Sequence, residues 1–372
     1  MDIFLSTRDL AVGYNGKALI HGIDINLRRG TILTLIGPNG AGKSTILKTI
    51  AKYLKTICGA IYIDGRSIDD MNERDMSFLL SVVLTQRLRT ERMTCEEIVG
   101  TGRYPFTGML GILSEEDKAQ VRESMELTDV WDLRERDFMQ ISDGQRQRIL
   151  LARAICQQPS AIVLDEPTSF LDIRYQVEFL QILRDMARER GIAVIMSLHE
   201  LGLAERISDD VLCVKGETIE DYGRARDIFT RERIEKLYDL KEGSYNPLFG
   251  SLEMKRPNGE PRLFVIAGGG TGTGVYRELQ KMDCPFVTGI LHENDIDYPV
   301  AKDLASEMIT ERAFMPVSDE TYARALEALR RCDTVLNCLS SYGEANARNQ
   351  SLAEDAKTLG LRVIAHPEDY SQ

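Results

Sequence analysis

Nine residues carry the clearest chemistry in this chain: "GPNGAGKST" at positions 37–45. They match Gly-x-x-x-x-Gly-Lys-[Ser/Thr] in full, after an apolar run ("TILTLIG", 31–37) and before a helical pattern. In such a loop the backbone N–H groups from Asn39 to Thr45 wrap a β-phosphate. Gly37, Gly40 and Gly42 allow the tight curve, with Pro38 and Ala41 between them. Lys43 is placed to reach the β- and γ-phosphates, and the Ser44 hydroxyl to ligate Mg²⁺. The spacing predicts a nucleoside triphosphate site.

A second set of groups completes that chemistry. "AIVLDEP" (161–167) reads as a buried strand that delivers Asp165 to its carboxyl end, where ligands bind in parallel sheets. Asp165 is the expected Mg²⁺ carboxylate. Glu166 follows it and is the candidate to act on an attacking water, as base or positioner. A third stretch, "ISDGQRQRIL" (141–150), starts a helix at Ser142, Asp143 and Gly144, with backbone N–H groups suited to an anion. It lies about a hundred residues from the phosphate loop.

The elements that must position these groups follow from pattern. Near-continuous apolar runs at 31–37, 161–167 and 192–200 suit strands of a parallel sheet covered on both faces. A helix is expected over 173–190, closed by Gly191, and another from Ser114, with Asp117 completing a capping-box pattern. Beyond about 241 the texture changes, and a hairpin turn is expected at "PNGE" (257–260). Strands are expected at 262–267, 286–291, 313–317, 334–339 and 362–365, with helices near 274–281, 299–309, 319–331 and 346–359.

Composition bounds the rest. The chain has 372 residues, enough for two or three domains, at 43% hydrophobic and 28% charged. No apolar run is long enough to span a bilayer, and no secretory signal opens the sequence. A net charge of −12 disfavours a nucleic-acid partner. Seven scattered cysteines read as reduced thiols of a cytoplasmic protein rather than as a metal cluster.

In its first 240 residues or so the chain resembles the ATP-binding subunits of ABC transporters. "ISDGQRQR" resembles the family signature Leu-Ser-Gly-Gly-Gln, with Ile141 for Leu and Asp143 for Gly. "DEPTSFLD" resembles the Walker B stretch and D-loop, with Ser169 and Asp172 at matching positions. Gln86 matches the Q-loop glutamine, His199 in "MSLHE" the switch histidine, and Tyr14 the aromatic that stacks on adenine. The resemblance implies an α/β fold with a P-loop ABC-type ATPase domain over 1–242 and a helical subdomain near 87–157; the strand and helix pattern after it reads as a smaller, Rossmann-like doubly wound α/β domain over 243–372. It implies ATP and Mg²⁺ as cofactors, with Ser44, Gln86 and Asp165 around the metal and Lys43, Gln86, Glu166 and His199 in hydrolysis. It also implies a head-to-tail homodimer, in which Ser142, Gly144 and Gln145 of one copy cap the γ-phosphate held by the other, and closure follows ATP binding.

Such subunits dock on two integral-membrane permease subunits at the cytoplasmic face of the membrane, and act indirectly with a substrate-binding protein. The segment "MTCEEIVGTGRYPFTGMLG" (93–111) is similar to that of importers of ferric siderophores, haem or vitamin B12, through Gly102, Arg103, Tyr104 and Pro105. Other transporter classes and soluble non-transport ABC proteins are the alternatives.

The C-terminal stretch "RLFVIAGGGTGTGVYRELQ" is a second strand, glycine loop and helix, but not a second Walker motif. Gly268 and Gly270 fit a dinucleotide loop, whereas Thr273 and Gly274 break its pattern; Glu293 falls where a ribose-binding acid would. A glycine turn with a solvated acidic loop and a variant phosphate or dinucleotide loop are both open readings. His292, Glu293, Ser340 and Ser341 are candidate strand-end pocket residues, and the expected role is regulatory, dimer-stabilising or small-molecule sensing.

Overall fold

The computed structural model describes residues 2–84, 92–108 and 111–370. Gln86 lies outside the described residues. The chain divides into two compact units, Met1–Tyr238 and Asp239–Gln372.

In the first unit five parallel strands form the centre. In chain order they are β1 (Ile32–Ile36), β2 (Leu80–Val83), β3 (Ala161–Leu164), β4 (Ala193–Ser197) and β5 (Asp210–Lys215). Across the sheet they run β5-β1-β4-β3-β2. Every residue of β1, β3 and β4 is buried. Both faces of these strands are covered, which is why they read as unbroken apolar runs rather than as alternation. Long antiparallel strands, Ile3–Tyr14 and Lys17–Ile23, extend the same sheet.

Helix α1 (Lys43–Ile50) follows the phosphate loop. A helical layer has a core of its own: α2 (Cys95–Gly100), α3 (Glu115–Leu127) and α4 (Asp143–Cys156) pack around residues that include Ile98, Val121, Met125, Phe138 and Ile149. Each starts with a capping box, Thr94 with Glu97, Ser114 with Asp117 and Ser142 with Gln145, so the orphan N–H groups of the first turn are satisfied locally. Arg103 is 6% exposed and pairs with Asp117 at 2.8 Å while donating to the Cys156 carbonyl, pinning α3 to the end of α4. Helix α5 (Ile173–Arg190) ends at Gly191 in the left-handed region, φ 69°.

The second unit begins with a short hairpin, β6 (Ser244–Asn246) and β7 (Ser251–Glu253). Five parallel strands follow: β8 (Leu263–Ile266), β9 (Phe286–His292), β10 (Glu307–Glu311), β11 (Thr334–Asn337) and β12 (Arg362–Ile364), in the order β10-β9-β8-β11-β12. Helices α6 (Gly272–Lys281) and α7 (Tyr298–Leu304) pack on one core, with Tyr276, Leu279, Val300 and Leu304. Helices α8 (Asp319–Arg330) and α9 (Ala347–Thr358) pack on another, with Ala325, Leu329, Leu352 and Ala356. This is a doubly wound sheet whose strand order reverses between β8 and β11.

Three expectations change. The hairpin turn falls between β6 and β7, at 247–250, not at 257–260, because Tyr245 and Glu253 are the buried anchors of that pair. The strand expected at 313–317 is a loop, and the strand is Glu307–Glu311, with only Ile309 fully buried. An edge strand alternates, whereas the apolar run after it contains Pro316 and holds Phe314 at φ 61°, which no strand accommodates. The helix expected over 299–309 ends at Leu304, because β10 begins at Glu307 within the expected range.

Candidate nucleotide site

The phosphate loop leaves β1 at its carboxyl end and turns into α1. Gly37, Gly40 and Gly42 all have positive φ, at 145°, 78° and 94°. A Cβ at Gly37 would run into the Val214 carbonyl, and one at Gly42 into the Ile20 side chain, so these positions need glycine for both conformation and space. The Lys43 ammonium is buried and donates to the Gly37 and Pro38 carbonyls at 2.7 and 3.1 Å. Burial pulls its pKa below the ordinary lysine value, partly opposed by the carboxylates of Glu166 and Asp165.

Strands β3 and β4 end beside this loop. Ser44 Oγ donates to Asp165 Oδ1 at 2.9 Å, and Ser197 Oγ, from the end of β4, donates to the same oxygen at 2.8 Å. The backbone N–H of Glu166 donates to Ser197 Oγ at 2.9 Å. Glu166 has φ 49°, which turns its side chain away from Asp165 and toward His199, whose Nε2 lies 2.5 Å from Glu166 Oε1. A cavity of about 480 Å³ is lined by Asn39, Gly40, Lys43, Ser44, Glu166 and His199, among others. At its edge Thr45 also meets Tyr14, 46% exposed, whose hydroxyl lies 3.3 Å from Thr45 Oγ1.

Other sequence-marked residues stand outside this cavity. Ser142, Gly144 and Gln145 form the capped start of α4; Ser142 Oγ accepts the Gln145 N–H at 3.3 Å. Asp143 pairs with Arg146 at 2.6 Å, and Arg146 also donates to the Phe138 and Met139 carbonyls. The extra carboxylate of this stretch therefore has its own local cation. Asp172 caps α5, accepting the Tyr175 N–H at 3.0 Å. An added Cβ at Gly144 would rest 3.4 Å from Leu171, so the start of α4 abuts the D-loop-like turn.

Two contacts escape a motif search. Ser197 lies two residues before His199 at the same strand end, and that spacing is its only signal. Tyr238 is the second: its phenol oxygen accepts the Gly37 N–H at 3.2 Å from the end of the helix Arg231–Tyr238, with burial pushing the phenol up to about 12. Nothing in the local sequence connects positions 201 residues apart.

A glycine phosphate loop at a strand end, an adjoining buried Asp-Glu pair and a histidine from the neighbouring strand define a P-loop nucleoside triphosphatase. The sequence narrows the class. Residues 20–169 match the ABC transporter family model. An ABC transporter ATP-binding protein of Methanocaldococcus jannaschii is 42% identical over 288 residues, 77% of this chain and 99% of that protein. The iron(3+)-hydroxamate import ATP-binding protein of Bacillus subtilis is 34% identical over 236 residues, 63% of this chain and 88% of that one. The cobalamin import ATP-binding protein of Halobacterium salinarum is 28% identical over 331 residues, 87% of this chain and 83% of that one. Among solved structures, a metal-chelate type ABC transporter in an inward-facing conformation superposes with a TM-score of 0.57 at 26% identity, over 63% of this chain and 89% of that one. The chain belongs to the ABC transporter ATP-binding protein family, and it is an ATPase.

The C-terminal unit carries a separate match, to the MJ0874 family, over residues 286–372. That match begins at the first residue of β9, so it leaves out β8, the strand that pairs with both β9 and β11.

Proposed function

We propose that this chain is the ATP-hydrolysing subunit of a membrane importer for a metal chelate of the siderophore, haem or cobalamin class. The observation that carries the reading is the convergence of Lys43, Ser44, Glu166 and His199 on one cavity, with Asp165 hydrogen-bonded to Ser44 at its wall, in a chain whose relatives are named for hydroxamate and cobalamin import.

In this reading Tyr14 stacks on adenine, and Pro38 to Thr45 cradle the phosphates with Lys43 at the β/γ end. Ser44 Oγ and Asp165 Oδ1, both oxygens and 2.9 Å apart, fit Mg²⁺ as a hard cation, with Gln86 as a further ligand. When bound, the ion neutralises charge on the triphosphate. Glu166 takes the proton of the attacking water, and His199 holds that carboxylate in place and reaches the γ-phosphate. The work step is dimer closure: Ser142, Gly144 and Gln145 of a second copy cap the γ-phosphate, so ATP adds contacts only in the closed state. Exposed apolar side chains beside the D-loop-like turn support a pairing face there: Phe170, Ile173 and Val177 are 75%, 81% and 56% exposed.

The permease contact falls on the helical layer. Tyr104, Phe106 and Ile112 are exposed there, and Arg103, turned inward onto Asp117, stiffens the segment. Among the described residues no helix is long and apolar enough to cross a membrane, which fits a subunit held peripherally by two permease chains, with a substrate-binding protein acting through them.

The test is reconstitution in liposomes with a candidate permease pair from the same genome. Cobalamin, a ferric hydroxamate or haem is expected to stimulate ATP turnover. Stimulation by none of the three, with basal turnover intact, sinks the cargo assignment while leaving the ATPase standing.

A further inference from the structure

The glycine loop of the C-terminal unit is already filled from within. Gly269 N–H donates to both carboxylate oxygens of Asp295, at 3.1 and 2.9 Å. Gly270 and Gly272 donate to Asp297 Oδ2 at 3.0 and 2.9 Å, and the Thr273 N–H and hydroxyl donate to Asp297 Oδ1 at 2.8 and 2.7 Å. Asp297 is 0% exposed. Its carboxylate occupies the start of α6, where a dinucleotide would place its pyrophosphate. An incoming phosphate would have to expel Asp297 and then lie against Asp295. The loop therefore does not serve a phosphate, and of the two readings open in the sequence the variant phosphate loop falls.

A different cavity opens beside it. The loops after β8, β9, β10 and β11 converge at the carboxyl edge of the sheet on a space of about 600 Å³. That size and that edge are where small ligands bind in doubly wound folds. The acids Asp295 and Glu344 line it, and no Lys or Arg is among its lining residues. His292 also lines it; its Nε2–H donates to the Met315 carbonyl at 2.9 Å, which orients the ring. Asn294 lines it as well, and much of the remaining wall is apolar and wet: Ile296, Phe314 and Met315 are 50%, 88% and 54% exposed. Phe314 is held at φ 61°, uncommon for a bulky side chain.

We propose that this cavity binds an organic cation, an ammonium or quaternary amine on an apolar body, with its charge between Asp295 and Glu344 and its apolar part on Phe314, Met315 and Ile296. A cation against carboxylates and an aromatic face gains attraction from both, while a neutral molecule of the same shape gains only burial. Anions are repelled by both acids. The site lies wholly within the second unit, and its assignment does not depend on the transport reading.

The experiment titrates the full chain, by calorimetry and by ligand-observed NMR, with choline, benzyltrimethylammonium and the neutral isostere 3,3-dimethylbutan-1-ol. At least one of the two cations is expected to bind saturably, and choline, if it binds, about fivefold or more tightly than its isostere. Phe314→Ala and Glu344→Gln each weaken the bound cation by about fivefold, with the amide spectrum of the second unit unchanged as a check that it is folded. Both side chains are exposed, so neither change threatens the core. No binding of either cation at about 10 mM, equal binding of choline and its isostere, or cation binding untouched by both variants overturns the proposal. So does saturable NAD binding that Phe314→Ala abolishes.

Discussion

Ser197 stands between the two acids of the nucleotide site: its hydroxyl donates to Asp165 at 2.8 Å and accepts the Glu166 N–H at 2.9 Å. One buried hydroxyl thus fixes where one carboxylate points and where the backbone turns for the other. Ser197→Ala is expected to lower kcat for ATP by about tenfold, with a smaller change in KM, because outer partners of such ligands typically matter by 10- to 100-fold. Ser197→Thr, which keeps the hydroxyl, should recover part of the loss. Equal kcat for wild type and Ser197→Ala in steady-state assays would show that the bridge is only structural.

Glu166→Gln should lower turnover by about a hundredfold or more while leaving ATP binding intact. Saturated with Mg-ATP, that variant is expected to run as a dimer in light scattering, since closure no longer ends in hydrolysis. Ser142→Arg in the same background should return it to monomer. A Glu166→Gln chain that stays monomeric with Mg-ATP would remove the shared-site reading.

The buried Arg103–Asp117 pair makes the helical layer sensitive to acid. Hydrogen bonds from Arg103 first, and from Ser114, hold the Asp117 pKa below its ordinary value of 3.8. A depressed carboxylate contributes stability that is complete above the unfolded pKa and is lost as pH falls through the folded one. Unfolding by acid should therefore steepen below about pH 4. Asp117→Asn leaves Arg103 buried without its counter-ion and should cost about 3–5 kcal/mol. It should also flatten the acid limb of stability against pH, measured by denaturant melts between pH 3 and 7.

Gly37→Ala forces a methyl toward the Val214 carbonyl at a φ that alanine resists. ATP affinity should fall by about tenfold or more, read by fluorescent-nucleotide titration, while the far-UV spectrum is kept. A Gly16→Ala control, also at positive φ but with open space around it, should leave ATP affinity within about twofold.

Residues 286–372 expressed alone should not fold. β9 and β11 are both partners of β8, which lies N-terminal to that segment, and without β8 the sheet is left as two separate strand pairs. Residues 239–372 should give a cooperative melt and a dispersed amide spectrum. A folded 286–372 fragment would mean that the strand order adapts.

The chemistry that lies in contiguous residues was legible in the chain itself. The phosphate loop, the Asp165–Glu166 pair and the capped helix starts at Ser114 and Ser142 each depend on neighbours within a few positions, so residue type and spacing are enough to announce them. The doubly wound character of the C-terminal unit was legible too, because buried parallel strands leave long apolar runs. Its edge strand was not. Glu307–Glu311 buries one side chain, while the more apolar run after it stays in water around a cavity. Ser197 beside Asp165, Tyr238 on Gly37 and Asp297 inside the second glycine loop depend on where distant segments come to rest. A glycine loop and a helix start advertise free N–H groups in any sequence. Whether a phosphate or the protein's own carboxylate satisfies them is settled by three-dimensional packing, since a buried donor must find an acceptor and takes the one the fold brings within reach.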